Sequence, residues 1–267
     1  MPKFAKYNVV IIGCGNVAWH IAKQLTDLKK YSVTVYNHKV NPNLKRFSIE
    51  LNCTVMLGLN AISPEADFYF ICVADKFVSA TSKKITIAKK DAIIMHTAGS
   101  LPLNAIKTKW PNVGVFYPLQ TFSKNDKVNW KQVPLVLEGT NVDARKKIKT
   151  LANSFSKEVL FLNYEERLRI HLCAVMVNNF TNALFAAASD LLEKYHSGSF
   201  KLLMPLIRQT VCKLELMSPR EAQTGPAKRN DRNVIKKHLE LLSGEKPVEE
   251  TYKQLTKLIL SQQKEYA

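Results

Sequence analysis

Short apolar runs alternate with amphipathic stretches over roughly the first 160 residues, and long helical periodicity takes over beyond them. The runs at 8–12, 33–36, 54–56, 68–73, 92–96, 113–116, 134–137 and 159–161 are each bounded by polar or turn-forming residues and each predicts a strand. Between the first two, Val17, Ile21, Leu25 and Leu28 recur at helical spacing, so strand, helix and second strand fit one crossover unit. Repetition of that unit predicts an α/β fold built on a doubly wound parallel sheet.

After Asn163 the strand signal ends, so the chain divides into an α/β domain over 1–162 and an all-helical domain over 163–267. Asn163 followed by Glu166 has the spacing of a capping box. The helical pattern it opens runs to about Tyr195, well beyond the usual 10 to 14 residues. That helix is apolar on several sides, through Leu168, Leu172, Val175, Met176, Phe180, Leu184, Phe185 and Leu191. It must therefore be covered all round, as the spine of a helical domain or as part of a subunit interface. Further helices are expected over 200–217 with a kink at Pro205, from the capping sequence Ser218-Pro219-Arg220-Glu221, and over 233–242 and 248–262.

Composition narrows the function classes. The formal net charge is +17, which invites a nucleic-acid reading. Yet the lysines are spread along the chain as singles and pairs, arginine is the minority cation, and no nucleic-acid motif is present. The charge reads as a solvated surface that favours anionic small molecules. No unbroken apolar run of the length of a spanning helix occurs, and the N-terminal run at 9–12 enters a glycine turn rather than a cleavage site. Five widely spaced cysteines without a C-x-x-C pair argue against a disulfide framework and a structural zinc site. A soluble cytoplasmic protein with no metal, no membrane contact and no specific nucleic-acid partner is expected.

Gly13-Cys14-Gly15-Asn16-Val17-Ala18 directly follows the first strand and opens the first helix. In a Rossmann domain the first glycine makes the tight turn, the second lets backbone approach a pyrophosphate, and a small third residue packs helix on strand. The phosphates then meet free N–H groups at the helix N-terminus. A glycine turn without ligand is the competing reading. At the end of the second strand, where an acidic residue would hold the ribose of NAD, stand Tyr36-Asn37-His38-Lys39. The absence of a carboxylate and the presence of two cationic groups favour NADP over NAD. Val73 and Ala74 after one strand, and His96 and Thr97 at the end of the next, should also face the cofactor.

These segments, with Tyr117-Pro118-Leu119-Gln120-Thr121-Phe122 and Thr224-Gly225-Pro226-Ala227-Lys228-Arg229, resemble bacterial Rossmann-like proteins carrying a C-terminal domain of unknown function, DUF2520. That group is labelled NADP oxidoreductases dependent on coenzyme F420, and it is related to the pyrroline-5-carboxylate reductases. The resemblance implies a helical domain like that of 6-phosphogluconate dehydrogenase, a homodimer formed through the helices, and NADP as cofactor. F420 enters only through the family label. The lysine and asparagine pair used by β-hydroxyacid dehydrogenases is not cleanly matched, and His171 stands roughly where the lysine would be sought.

Outside the cofactor turn, an uninterrupted α-helix would set His171, Asn178 and Asn182 on one face. His171 is then a general acid or base and Asn178 or Asn179 orients a substrate carbonyl or imine, unless the histidine is satisfied by structural hydrogen bonds. Thr224 and Arg229 flank a Gly-Pro turn that suits a carboxylate, unless Arg229 pairs with Asp231. Trp19, Phe116, Tyr117 and Phe122 read as packing residues. The expected activity is hydride transfer between NADP and a small anionic carbonyl or imine. The alternative is a non-catalytic dinucleotide sensor.

Overall fold

Eight strands form: β1 (Tyr7–Ile12), β2 (Tyr31–Asn37), β3 (Thr54–Leu57), β4 (Phe68–Ile71), β5 (Ile93–His96), β6 (Val113–Pro118), β7 (Leu135–Gly139) and β8 (Val159–Phe161). In this computed structural model, which describes residues 7–264, they join in one sheet of order β3-β2-β1-β4-β5-β6-β7-β8. Strands β1 to β6 run parallel to one another. The order reverses at β1, where the chain leaves for β2 and β3 on one side and returns to β4 on the other. A crevice for ligands opens at such a point.

The expected all-parallel sheet needs one correction: β6 and β7 are antiparallel. A parallel pair needs a crossover, usually a helix, and the segment between these strands carries only a short 3-10 turn at Trp130–Gln132. The chain therefore turns back, and β8 follows parallel to β7 after a helical crossover.

Helices α1 (Asn16–Asp27), α2 (Pro42–Leu51), α3 (Val78–Ser82) and α4 (Val142–Phe155) accompany the sheet. Side chains alternate between its faces, as a strand period of two requires. Val9, Ile11, Phe68, Phe70, Ile93 and Met95 face the core shared with α1, α2 and α4. Val10, Ile12, Tyr69, Ile71 and Ile94 face the opposite core. With both faces covered, the central strands are continuously apolar.

The chain divides into two compact units, Met1–Asn179 and Phe180–Ala267. The division falls inside the long helix rather than at its start near residue 163. That helix begins as α5 (Tyr164–Ala174), passes through a π-helical segment at Val175–Phe180 and continues as α6 (Thr181–Lys194). The Asn163 capping box forms as expected, with both reciprocal hydrogen bonds present. By length and composition alone the helix is apolar enough to cross a membrane, although His171, Asn178, Asn179, Asn182 and Asp190 interrupt it and leave no unbroken apolar run. Its first half is nonetheless tied to the sheet by the buried Arg167.

The second unit contains α6, α7 (Met204–Lys213), α8 (Pro219–Ala222), α9 (Arg232–Leu241) and α10 (Lys246–Lys264). Pro205 does not kink a helix. It sits in the first turn of α7, where its missing N–H costs nothing, and a 3-10 turn at Phe200–Leu203 precedes it. Ser218 caps α8 with a second complete capping box. Many large apolar side chains of these helices stay exposed, among them Leu184, Leu202, Leu206, Val211, Leu214, Leu241 and Leu258.

Candidate functional site

The glycine turn lies between β1 and α1 at the carboxyl edge of the parallel strands. Gly13 has φ +113°, and a Cβ there would collide with the carbonyl oxygen of Cys72, so only glycine closes this turn against the end of β4. Gly15 caps α1, and the space a Cβ would enter there is open. The first N–H groups of a twelve-residue helix thus meet an exposed glycine and no side-chain cap, which is the donor set a phosphate needs. Ala18 is fully buried where α1 meets the sheet.

A cavity of about 630 Å³ opens from this turn, within the range of cofactor sites. It is lined by Gly13 and Gly15, by Asn37, His38 and Lys39 after β2, and by Val73 and Ala74 after β4. Cys14 of the glycine turn and Cys72 of the strand end that carries Val73 and Ala74 line it too, together with Phe77, Thr81 and Lys84, which no sequence pattern announced. Lys84 adds a second lysine beside Lys39. Asn37 is buried and donates its side-chain N–H to the carbonyl of Lys39 at 2.8 Å, which shapes the turn that carries His38 and Lys39. Burial pushes the Cys72 thiol up to about 12, so it stays protonated.

Asn16, Val17, His96 and Thr97 do not line this cavity. The Asn16 amide donates to the carbonyl of Phe122 at 2.9 Å, pinning the segment after β6 over the start of α1. His20, one turn further along α1, meets the carbonyl of Ser123 at 2.8 Å and strengthens the same contact. His96 is fully buried. The N–H of Ala98 donates to its Nδ1, so its proton sits on Nε2 and points to the carbonyl of Pro102. Burial, reinforced by the Arg167 charge, lowers its pKa to about 4. His96 therefore holds the loop after β5 as a neutral ring, away from the cavity lining. Thr97 bonds to Cys72 and links that loop to the cavity wall.

The second half of the same sheet edge holds a polar cluster. Arg167 of α5 is fully buried. Its Nε donates to the carbonyl of Gly99 at 3.3 Å, one terminal nitrogen donates to the carbonyl of Leu101, and the other pairs with Glu138 of β7. Glu138 stands opposite Val115, and Val115 opposite His96, so all three lie in one row across the sheet. Asp75 accepts a hydrogen bond from Ser100 Oγ at 2.5 Å, joining the loops after β4 and β5. One turn beyond Arg167, His171 Nδ1 lies 3.1 Å from Tyr117 Oη at the end of β6. Burial raises the Tyr117 pKa, so it is a phenol at neutral pH, while Arg167 acts weakly in the other direction.

Tyr117 is therefore not mere packing, and Arg167 and Glu138 have no counterpart in the sequence reading. The signals that could have found them were an arginine four residues before His171 and a carboxylate closing an apolar strand. Asn178 is exposed and lies within the π-helical segment. The wider i→i+5 turns there rotate it off the stripe that a continuous α-helix would share with His171. Thr224 and Arg229 are exposed residues of the second unit. Asp231 caps α9 by accepting from the Val234 N–H, and among the described residues Arg229 makes no ion pair.

Residues 8–99 match the family of NADP oxidoreductases described as coenzyme F420-dependent, and residues 133–259 match the domain of unknown function DUF2520. The crystal structure of a Bacteroides fragilis protein, named as a candidate NADP oxidoreductase, is 33% identical over 96% of this chain and 99% of that one, with TM-score 0.90. The chain belongs to this family of DUF2520 NADP oxidoreductases. No curated protein matches it. The family's fold extends to more distant enzymes. A reductive aminase from Aspergillus terreus, in complex with NADPH and ethyl levulinate, shares 13% identity over 97% of this chain and 94% of that one, with TM-score 0.69. Plasmodium falciparum pyrroline carboxylate reductase, with NADP bound, shares 10% identity over 96% and 98%, with TM-score 0.61.

Proposed function

We propose that this family member transfers hydride between NADP and a small anionic carbonyl or imine. The observation that carries the reading is the pairing, along one sheet edge, of a dinucleotide cradle with a titratable pair. Gly13 and Gly15 open the N-terminus of α1 to a pyrophosphate. His38, Lys39 and Lys84 line the cavity where a 2′-phosphate would need cations. NADPH, when bound, supplies the hydride.

The chain's own residues supply position and a proton. His171 is the general acid in the reducing direction and the base in the oxidising one. In the second unit, the Thr224 hydroxyl and the Arg229 guanidinium are exposed groups that suit a carboxylate. The exposed cavity lining and the net charge of +17 draw both anions in. The exposed apolar side chains of α6, α7 and α10 support a homodimer formed through the helices. The five free thiols suit a reducing, cytoplasmic setting.

The test is a parallel titration with NADPH and NADH, following nucleotide fluorescence and melting temperature, and then a screen of oxo-acids, cyclic imines and aldehydes. Selective NADPH binding with turnover of one anionic member is the expected result. Binding without turnover across the panel identifies a dinucleotide sensor instead. Failure to bind either nucleotide removes the oxidoreductase reading.

A further inference from the structure

Tyr117 and His171 come from distant parts of the chain and meet edge to face, with ring centroids 5.8 Å apart and planes at 77°. The loop after β5 closes over them at Gly99. A Cβ on that residue would sit 2.7 Å from Tyr117 Cζ and 2.8 Å from His171 Nδ1, so the loop approaches both rings as only glycine allows. Arg167, one helical turn before His171, holds the same loop by the Gly99 and Leu101 carbonyls. The pair is thus built from three segments, the end of β6, the loop after β5 and α5, that fix its geometry.

One hydrogen atom lies between Oη and Nδ1, and the surroundings decide where it resides. Tyr117 is a phenol at neutral pH and must donate its hydrogen to an acceptor or to water. His171 Nδ1 is its hydrogen-bond partner among the described residues. Were Nδ1 to carry the hydrogen, the half-buried phenol would be left without a protein acceptor. Nε2 of His171 makes no hydrogen bond among the described residues, so it is the ring's open position.

We infer that Tyr117 and His171 form a proton relay in which Tyr117 Oη–H donates to His171 Nδ1 and fixes the ring as the Nε2–H tautomer that protonates the substrate. The assignment rests on the oxidoreductase reading above. In the reducing direction the Nε2–H bond breaks and a bond from hydrogen to the substrate nitrogen or oxygen forms. The Tyr117 proton moves to Nδ1, so the imidazole stays neutral throughout. Burial disfavours the Tyr117 phenolate and the Arg167 charge partly offsets this; the pair resets when water protonates Nε2 and the Nδ1 hydrogen returns to Tyr117 Oη. Tyr117 acts through His171 and is a positioning residue for it.

The experiment is a long-range proton–nitrogen spectrum of protein labelled with 15N-histidine, recorded at about pH 8.5 where imidazoles are neutral. The chain has six histidines, and His171→Gln assigns the resonance. The wild-type protein should show one tautomer at His171, with Nε2 protonated and Nδ1 bare. Tyr117→Phe should lose that single pattern to a mixture of tautomers while binding NADPH as the wild type does. A wild-type Nδ1–H tautomer, or an unchanged spectrum in Tyr117→Phe, overturns the relay. The wild-type spectrum decides alone if the variant does not fold. A protein with the expected tautomer that binds no NADPH loses the oxidoreductase reading instead, so the two failures are distinct.

Discussion

Replacing Arg167 by methionine removes a buried charge that ties α5 to the sheet. The side chain is fully buried, and its partner Glu138 is 19% exposed. Loss of one member of a buried pair costs about 3–5 kcal/mol. The carbonyls of Gly99 and Leu101 lose their donor, at about 1–3 kcal/mol for each that water cannot reach. Glu138 regains some hydration through its exposed edge, which sets the expected loss in the lower part of the range, about 3–4 kcal/mol. For a unit of this size each kcal/mol lowers the melting temperature by about 2–4 °C, so a fall of about 10 °C is expected. Thermal and urea denaturation followed by circular dichroism measure it, with the exposed neighbour Arg169→Met as control. The same variant carries a second readout. The Arg167 charge is one cause of the low pKa of His96, so the His96 resonance should titrate above about 4 once the charge is gone. A loss below about 1 kcal/mol with an unmoved His96 would refute the view of Arg167 as a buried anchor.

Three further outcomes follow from the same contacts. His96 has a folded pKa of about 4 against an ordinary value of 6.5, so the unfolded chain binds more protons between these values. Stability should therefore be fully present above about pH 6.5 and fall by about 3 kcal/mol as the pH drops to 4. His96→Gln should flatten that part of the profile, and a slope kept in the variant would point to another group. Gly99→Ala forces a Cβ against both rings of the Tyr117–His171 pair. It should disturb the His171 resonances while leaving NADPH affinity within about twofold; an unperturbed His171 would mean the loop does not press on the pair. Lys39→Ala should weaken NADPH by about tenfold, near 1.4 kcal/mol, with NADH little changed. Equal weakening of both nucleotides in calorimetry would remove the case for a 2′-phosphate at this turn.

Local pattern carried much of the architecture. Each strand announced itself through a short apolar run, because residues on both faces of the central strands had to be buried. The glycine turn was legible for the same reason: the tight approach of Gly13 to Cys72 and the open face of Gly15 are constraints on neighbouring residues. Capping at Asn163 and Ser218 also acts over three residues, and both boxes formed as their spacing implied. The direction of β7 was less legible, since it depends on whether a crossover fits between two strands and not on the strand's own residues.

The polar cluster at the edge of β5 and β6 was largely hidden. Arg167 looked like one more surface cation, and Tyr117 like one more core aromatic. Their partners lie 29 to 68 residues away for Arg167 and 54 for Tyr117. No local spacing encodes such contacts. His96 was visible as a strand-end residue, but its orientation toward its own loop depended on the fully buried environment around it. The stripe of His171 and Asn178 failed through a π-helical turn that no periodicity announced.

By itself, then, the sequence determined the order of strands and helices, the caps and the phosphate turn, because these depend on residues close along the chain and on which side chains must leave water. The tertiary structure alone decided that α5 docks through a buried arginine, that His96 is a neutral strut, and that Tyr117 meets His171 beneath Gly99. Those arrangements rest on charge, burial and close approach between segments that only the folded sheet brings together.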